Sequence, residues 1–314
     1  MKKLDFSDPF QARNWLRALR CDPVSNIRIA PNLSLSRRQL GFAFRSNQFG
    51  LRGPNARDGS CVILGTSFAM GFAVDAGMDW YDNLLDYNQW FNAGLPVGPL
   101  QWKRLLDSTY RGNRNVAFLI YHPNLLPIAN AYHTMTQNGQ TAFEFYRWKT
   151  GWLDCWKLSR SKRKQLTQRM AIGEIVELEH RGEMFRFNSN YCYIRPDEIE
   201  DIVEQQKGTL CQLASTFDSV ICLRVPIKEE LLPTTHLNKR FEVLKESLEI
   251  SWSRVKSALA KHVLFCHTAE GFELSHFHGH DTHLNETGNQ HLRNQVRKTL
   301  EYAGKSDTLC RIDE

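Results

Sequence analysis

The sequence predicts an α/β fold in which a parallel sheet is covered on both faces by helices. Five short apolar runs, four to seven residues long and rich in branched or aromatic side chains, alternate with segments of helical spacing. Strands that are buried on both faces form such unbroken runs, whereas strands with one solvated face alternate apolar and polar residues. Buried runs that alternate with amphipathic helices are typical of a parallel sheet between two helical layers.

The predicted elements follow in order along the chain. The expected strands are residues 61–65, 89–94, 116–121, 219–225 and 262–266, and the expected helices are 79–87, 101–110, 240–261 and 285–303. The helix over 240–261 is predicted from apolar residues that recur at three- and four-residue steps and form one face. These residues are Phe241, Leu244, Leu248, Trp252, Val255 and Leu259.

The segment from about 130 to 215 interrupts the alternation. It is too long for one crossover helix and contains a strand-like stretch at 183–196. We therefore expect a helical and β-hairpin cap over 130–215, a core domain of 56–129 and 216–314, and a lead-in segment over 1–55 packed on that core. Trp148, Trp152 and Trp156 share one helical face of the cap. They pack the cap onto the core, line the substrate site, or belong to a basic amphipathic surface at a membrane.

The net charge of +6 is concentrated in one stretch. Residues 157–169 contain six basic residues and no acidic one: Lys157, Arg160, Lys162, Arg163, Lys164 and Arg169. This run is either a solvated helix end or loop, or a surface for membrane lipid, acidic glycan or nucleic acid. Nucleic-acid binding has no other support in the chain, so we do not expect it.

The cysteines and the N-terminus predict the cellular setting. The eight cysteines form no Cys-x-x-Cys pair, and Cys61, Cys222 and Cys266 lie inside apolar runs, where a free thiol acts as a small core residue. Asp5, Asp8 and Pro9 interrupt the N-terminus before any stretch of signal-peptide length, and no segment has the roughly 20 apolar residues of a membrane span. We therefore expect a reduced, soluble, cytoplasmic protein with no transmembrane segment.

The first apolar run ends on a glycine-flanked hydroxyl residue, Ser67, in CVILGTSFAMG. Ligands bind beyond the carboxyl ends of parallel strands, which is where this serine would lie. A serine hydroxyl becomes a nucleophile when a base takes its proton and a third group orients that base. His283 and Asp281, two residues apart in HGHDTHLNETG before the last predicted helix, are the candidates. One short loop could therefore present both groups.

Acyl transfer also needs hydrogen-bond donors for an oxyanion. Candidate donors follow three predicted strands: the N–H of Ser67, the N–H of Gly94 in FNAGLPVG and the side-chain amide of Asn124 in YHPNLL. Taken singly, glycine and asparagine are ordinary turn residues. Their occurrence in order after separate strands, together with Asp281 and His283, favours a serine acyl-transfer site.

These blocks resemble those of the SGNH (GDSL-like) hydrolases: GTSF with Ser67, NAG with Gly94, HPN with Asn124, and DTHLNETG with His283. SNQFGLRGP at 46–54 is similar to a lead-in of many bacterial members, and VPIKEELLP at 225–233 to a segment of polysaccharide-associated ones. The resemblance covers about 45–126 and 217–300 and leaves out the insertion.

The resemblance implies a three-layer α/β/α flavodoxin-like fold with a five-stranded parallel sheet. Ser67 would be the nucleophile, His283 the base and Asp281 its orienting carboxylate. Gly94, Asn124 and the Ser67 amide would form the oxyanion hole. The implied activity is that of an esterase that removes an O-acyl group, such as acetyl, from a carbohydrate or related small substrate, with no cofactor and no metal.

Two positions depart from the family pattern. Thr66 replaces the usual Asp before the serine, and His122 replaces a Gly two residues before Asn124. We expect Thr66, His122, Trp148 and Trp152 to line the substrate site. Two other functions fit the same residues: an O-acyltransferase that passes the acyl group to a glycan, and a binding protein that keeps the fold without turnover.

A histidine-rich stretch, SHFHGHDTH, offers a metal alternative. His276, His278, His280, Asp281 and His283 are residue types that bind zinc. Their order superficially resembles the His-x-His-x-Asp-His of metallo-β-lactamase-type hydrolases, but the spacing differs, and only 31 residues follow His283. Loop histidines that line an ester site, or that are simply solvated, are the expected interpretation.

Overall fold

The computed structural model is built around a five-stranded sheet. It describes residues 14–15, 18–22, 25–55, 58–59, 61–81, 84, 90–123, 125, 175–188, 199–236, 239–260 and 265–304. The strands in these ranges are β1 (Leu19–Asp22), β2 (Asn26–Ile29), β3 (Ser34–Leu35), β4 (Phe44–Arg45), β5 (Cys61–Gly65), β6 (Trp90–Asn92), β7 (Val116–Tyr121), β8 (Ile175–His180), β9 (Glu183–Asn188), β10 (Ser219–Arg224) and β11 (Phe265–Thr268).

The central sheet has the order β11-β10-β7-β5-β6, and each neighbouring pair is parallel. Counted along the chain, this is the doubly wound order 2-1-3-4-5. After β5 the chain continues to β6 at one edge of the sheet, and after β7 it continues to β10 and β11 at the other edge. The carboxyl ends of β5 and β7 therefore form a switch point, which is where ligands bind in open α/β sheets. The five predicted strands are confirmed, although β6 is shorter than its prediction and residues 262–264 lie outside the described ranges.

Successive residues of the central strands belong to two different hydrophobic clusters. In β5, Val62 and Leu64 belong to one cluster, which we call the Val62 cluster, and Cys61 and Ile63 to the other, the Ile63 cluster. Because side chains alternate across a strand, the two clusters cover opposite faces of the sheet. Both faces are therefore buried, which explains the unbroken apolar runs of the sequence.

Helices cover both of these faces. The α-helices are α1 (Arg37–Leu40), α2 (Ser67–Met70), α3 (Pro99–Thr109), α4 (Ile199–Ala214), α5 (Lys239–Leu259) and α6 (Glu286–Gly304), and the 3-10 helices are Lys228–Leu231, Thr234–His236 and Leu274–His276. Apolar residues of α3, α4 and the C-terminal part of α5 join the Val62 cluster, whereas Leu292 and Val296 of α6 join the Ile63 cluster. The predictions of helices over 101–110, 240–261 and 285–303 are confirmed.

The described part of the 130–215 segment contains a hairpin and α4. β8 and β9 pair antiparallel through a two-residue turn, in which Arg181 and Gly182 both have positive φ (52° and 78°). The strand predicted at 183–196 is confirmed over 183–188. Phe185 and Phe187 of β9 pack with α5 in a third cluster. α4 contacts α3 and α5 and so belongs to one of the helical layers over the sheet.

The lead-in segment forms two small antiparallel pairs, β1 with β2 and β3 with β4. Ile27, Ile29, Phe42 and Phe44 are buried in the Val62 cluster. The described part of this segment therefore shares the core that covers one face of the sheet.

The helix predicted over 79–87 is wrong in its described part. Residues 79–81 and 84 form bends and turns, and the rest of the range lies outside the described residues. Trp80 is fully buried and donates its indole N–H to the Phe68 carbonyl at 3.1 Å, while Asp79 pairs with Arg52. These contacts at adjacent positions fix a turn. Among the described helices, none is both long and apolar enough to cross a membrane.

Candidate active site

Ser67 is the first residue of α2, two residues beyond the end of β5. Gly65 ends that strand with φ +139°, and a Cβ there would lie 2.6 Å from both the Ala69 Cβ and the Ile120 carbonyl oxygen. Because only glycine tolerates this conformation and space, the chain can turn from strand to helix at once. The turn places Ser67, which is 9% exposed, at the carboxyl end of the sheet.

Ser67, His283 and Asp281 form one hydrogen-bonded chain. The Ser67 Oγ lies 2.8 Å from His283 Nε2, and His283 Nδ1 bonds Asp281 Oδ1. An ionised carboxylate only accepts hydrogen bonds, so Nδ1 carries the imidazole proton and Nε2 is left as the acceptor for the serine hydroxyl. The structure therefore brings together the three residues predicted as a triad, with the base in the tautomer that can take a proton from Ser67.

The loop before α6 fixes Asp281 and His283 relative to each other. The His278 N–H donates to the His283 carbonyl at 3.0 Å and closes the loop, which we call the 278–283 loop. The His283 N–H donates to Asp281 Oδ1 at 2.8 Å, so the same carboxylate oxygen holds both the backbone and the ring of the histidine. Their separation of two residues makes this double contact geometrically simple.

The electrostatics keep Asp281 ionised. Burial alone would raise the pKa of its carboxyl group, but the neighbouring His283 ring and the hydrogen bonds from its ring and backbone N–H groups outweigh burial and hold the pKa well below the usual range. An ionised Asp281 can stabilise the imidazolium that forms when His283 takes a proton.

Two phenylalanines pack against the imidazole of His283. The Phe68 ring is stacked at 5.4 Å between centroids, and the Phe72 ring contacts it edge-on at 5.0 Å. Both side chains are almost fully buried. They restrict the rotation of His283, and the sequence shows them only as apolar residues that follow Ser67 at positions +1 and +5.

The predicted oxyanion donor Gly94 lies next to α2, but its N–H already has a hydrogen-bond partner. Gly94 lies close to α2, since a Cβ on it would be 2.6 Å from the Met70 nitrogen. Its N–H, however, donates to the Asn92 Oδ1 at 2.8 Å. The Asn92 amide nitrogen in turn lies 3.5 Å from the Ala69 carbonyl. Asn92 therefore connects the end of β6 to α2, a role that the sequence analysis did not assign.

Thr66 and His122, predicted to line the substrate site, are both buried. Thr66 is 1% exposed and directly precedes α2 without a capping hydrogen bond from its side chain, and His122 is 0% exposed. The His122 ring is stacked on Phe68, with 3.6 Å between centroids and 18° between planes. His122 therefore contacts the residue next to Ser67 and lies beneath the surface of the site.

The histidines near the triad have separate surroundings. His278 Nε2 lies 3.1 Å from the Ala73 carbonyl, and His276 accepts the Glu273 N–H at 3.0 Å and stacks on His291. Burial lowers the pKa of both His276 and His278. Within the part of the chain that the structure describes, no three His, Cys, Asp or Glu side chains are arranged to hold a metal ion.

Arg52 stabilises the segment that follows α2. It is 2% exposed and donates to the carbonyls of Gly71 and Val74, the latter at 2.7 Å. It also pairs with Asp79 at 2.8 Å. The lead-in motif SNQFGLRGP contains this arginine, but no pattern in the sequence indicates which backbone carbonyls it reaches.

The remaining predicted site residues lie outside the described ranges. They are Asn124, Trp148, Trp152, Lys157, Arg160, Lys162, Arg163 and Lys164. Their proposed roles in the oxyanion hole, in lining the substrate site and in an anionic surface stay predictions.

Comparisons with protein-family models, with curated proteins and with solved structures gave no match to this chain. The function is therefore inferred from the chemistry of the site itself.

Proposed function

We propose that this protein is a serine esterase of the SGNH type, which removes an O-acyl group such as acetyl from a carbohydrate or related small substrate. The observation that carries the proposal is the hydrogen-bonded chain from Ser67 through His283 to Asp281 at the switch point of the sheet. The strand order 2-1-3-4-5 is that of flavodoxin-like folds and supports the family's architecture. The fold alone would support no activity, because one fold serves many functions.

In the first half of the reaction, His283 Nε2 takes the proton of the Ser67 hydroxyl as Oγ attacks the acyl carbon. The carbonyl π electrons move to oxygen and form a tetrahedral oxyanion, while Asp281 stabilises the imidazolium. The intermediate then collapses and breaks the ester bond. The alcohol leaves with the proton from His283, and the acyl group stays on Ser67.

In the second half, a water molecule replaces the alcohol. His283 takes one proton from the water as its oxygen attacks the acyl-enzyme carbonyl. Collapse of the second intermediate returns the proton to Ser67 Oγ and releases the carboxylic acid. Every proton transfer uses side chains of this chain, so the cycle needs no cofactor.

Gly94 can donate its N–H to the oxyanion only if it first gives up its present hydrogen bond. Its N–H is already bonded to Asn92 Oδ1, so the Asn92 side chain must turn away before Gly94 can donate to substrate. The Ser67 N–H, at the start of α2, needs no such change to serve as the first donor. Asn124 remains the third proposed donor.

The test is the hydrolysis of p-nitrophenyl acetate, butyrate and octanoate by the wild type and Ser67→Ala, each with and without EDTA. We expect turnover that resists EDTA and is lost in Ser67→Ala. Ser251→Ala is the matched control, because Ser251 is also buried but donates its hydroxyl to Ser247 within α5. EDTA-sensitive turnover that survives in Ser67→Ala would instead favour a metal site at the histidines. No turnover by the wild type, in the esterase or the acceptor assays, would favour a binding protein.

The burial of the nucleophile favours an O-acyltransferase as the second candidate. Ser67 is 9% exposed and lies beside the buried rings of Phe68 and Phe72, so little bulk water would compete with an acceptor hydroxyl that a bound glycan holds at the acyl-enzyme. A glycan hydroxyl would then replace water in the second half of the reaction. Release of p-nitrophenol that accelerates when oligosaccharide acceptors are added, with acylated glycan found by mass spectrometry, would support transfer. Release that is unaffected by acceptors would support hydrolysis.

A further inference from the structure

Lys228 is a buried cation directed at the loop that carries the candidate acid and base. It is 1% exposed and lies in the 3-10 helix Lys228–Leu231, just after β10. Its Nζ lies 2.9 Å from the Gly279 carbonyl, 3.0 Å from the Asp281 carbonyl and 3.3 Å from the His278 carbonyl. One ammonium group therefore contacts three backbone oxygens of the 278–283 loop.

The geometry matches the charged form of lysine. An ammonium has three N–H donors and no acceptor, so three carbonyl partners satisfy it completely. The Gly279 carbonyl also accepts the Arg186 N–H at 2.9 Å, but without Lys228 three carbonyl dipoles would still converge and repel one another in a partly buried space. Burial lowers the pKa of Lys228, while the nearby charges of Glu229 and Asp281 act against that shift. A nucleophilic or basic role would need a free lone pair, which this arrangement does not favour.

Contacts on the side away from the loop fix the 3-10 helix that carries Lys228. Arg224, at the end of β10, forms a buried ion pair with Glu230, and Glu230 Oε2 accepts the Ile227 N–H at 2.8 Å. These contacts fix the first turn of the 3-10 helix. The Phe187 ring of β9 lies 5.8 Å from Nζ and fills the space on another side. The lysine thus connects a rigid strand end to the loop.

We propose that Lys228 is a positioning residue that holds the 278–283 loop so that Asp281 and His283 stay aligned with Ser67. The part of this inference that concerns catalysis rests on the proposed acyl transfer. The part that concerns the order of the loop does not depend on any activity. The lysine belongs to the segment VPIKEELLP, whose role the sequence left unassigned.

The kinetic test compares Lys228→Met with Lys245→Met. Methionine keeps the apolar stem of the side chain as far as the ε position but removes the ammonium group with its three donors. Lys245 is the matched control, because its Nζ donates to the Leu232 carbonyl and contacts no part of the loop in the described structure. We expect kcat on p-nitrophenyl acetate to fall about 10- to 100-fold in Lys228→Met with KM changed by less than about twofold, because misalignment affects the transition state more than binding. Lys245→Met should keep the wild-type kcat.

The second readout is amide hydrogen exchange of a peptide that covers residues 274–285. We expect exchange in this peptide to be about tenfold faster in Lys228→Met, with the peptide that contains β5 unchanged, since local opening is independent of the core.

If Lys228→Met does not fold, Lys228→Arg replaces it, because a planar guanidinium keeps the charge but does not match three converging carbonyls. A wild-type kcat together with wild-type exchange in the folded variant would overturn the proposal. If the wild type itself shows no serine-dependent turnover, the proposed function fails, and the exchange data alone decide whether Lys228 orders the loop.

Discussion

Ser67 Oγ and His283 Nε2 lie 2.8 Å apart although 216 residues separate them in the chain. The contact joins the carboxyl end of β5, the first strand of the five-stranded sheet along the chain, to the loop before α6, the last described helix. Such a contact depends on the order of the strands, because β5 is an interior strand between β7 and β6, and α6 covers the face of the sheet on which Phe68 also lies. The parallel sheet, through its topology, assembles the nucleophile and the base.

The first prediction concerns the carboxylate of the triad. Asp281→Asn should lower kcat by about 10³- to 10⁴-fold, because an amide can donate to Nδ1 and so favour the wrong imidazole tautomer. The measurement is kcat on p-nitrophenyl acetate, with circular dichroism to verify the fold. Asp75→Asn is the control, since Asp75 also accepts a backbone N–H, from Ala43, but lies outside the triad. Equal activity of the wild type and Asp281→Asn would rule out Asp281 as the orienting group.

The second prediction concerns the pH dependence of stability. The pKa of Asp281 is lower in the folded than in the unfolded protein, so at acidic pH the unfolded chain takes up a proton that the folded chain does not. The stability from Asp281 is therefore present above its unfolded pKa, about 4, and is lost as pH falls toward the folded value. Urea unfolding at pH 5 and pH 3 should show a wild-type advantage over Asp281→Asn that shrinks at pH 3. A constant or growing difference would contradict the lowered pKa.

The sequence predicted those features that have a local pattern. The five strands appear as apolar runs because both faces of the sheet are buried, and α5 appears as a stripe because one of its faces packs on the core. Asp281 and His283 were found because they are neighbours in one loop. Ser67 was found because a glycine must precede so abrupt a turn.

Contacts between side chains and distant backbone groups could not be predicted in this way. The bond from Gly94 to Asn92 and the contacts of Arg52 with Gly71 and Val74 have no periodicity. The incorrect helix over 79–87 has the same cause: Asp79 and Trp80 are fixed by partners 27 and 12 residues away, Arg52 and Phe68, and these contacts override local helical composition.

The third prediction separates two glycines. Gly65→Ala should lower the free energy of unfolding by about 2 kcal/mol or more, because the new Cβ would contact Ile120 and Ala69 and φ is +139°. Gly208→Ala is the matched control. Gly208 lies on the exposed side of α4 with open space around it, so alanine should raise the free energy of unfolding by about 0.5–1 kcal/mol. Urea denaturation measures both. Similar changes in the two variants would show that the turn after β5 does not require glycine.

The fourth prediction compares two arginines of the lead-in segment. Arg52→Met should lower the free energy of unfolding by about 3–5 kcal/mol, because it removes the cation of a buried ion pair with Asp79 and the hydrogen bonds to the Gly71 and Val74 carbonyls. Arg37→Met is the control, since Arg37 is about half exposed and its ion pair with Asp75 is screened by water. Thermal unfolding should therefore show a large drop in the midpoint for the first variant and almost none for the second. Replacing both Arg52 and Asp79 with apolar residues should recover part of the loss in stability, because neither charge of the pair is then left buried. A double variant as unstable as Arg52→Met would show that the contacts with Gly71 and Val74, and not the ion pair, carry the stability.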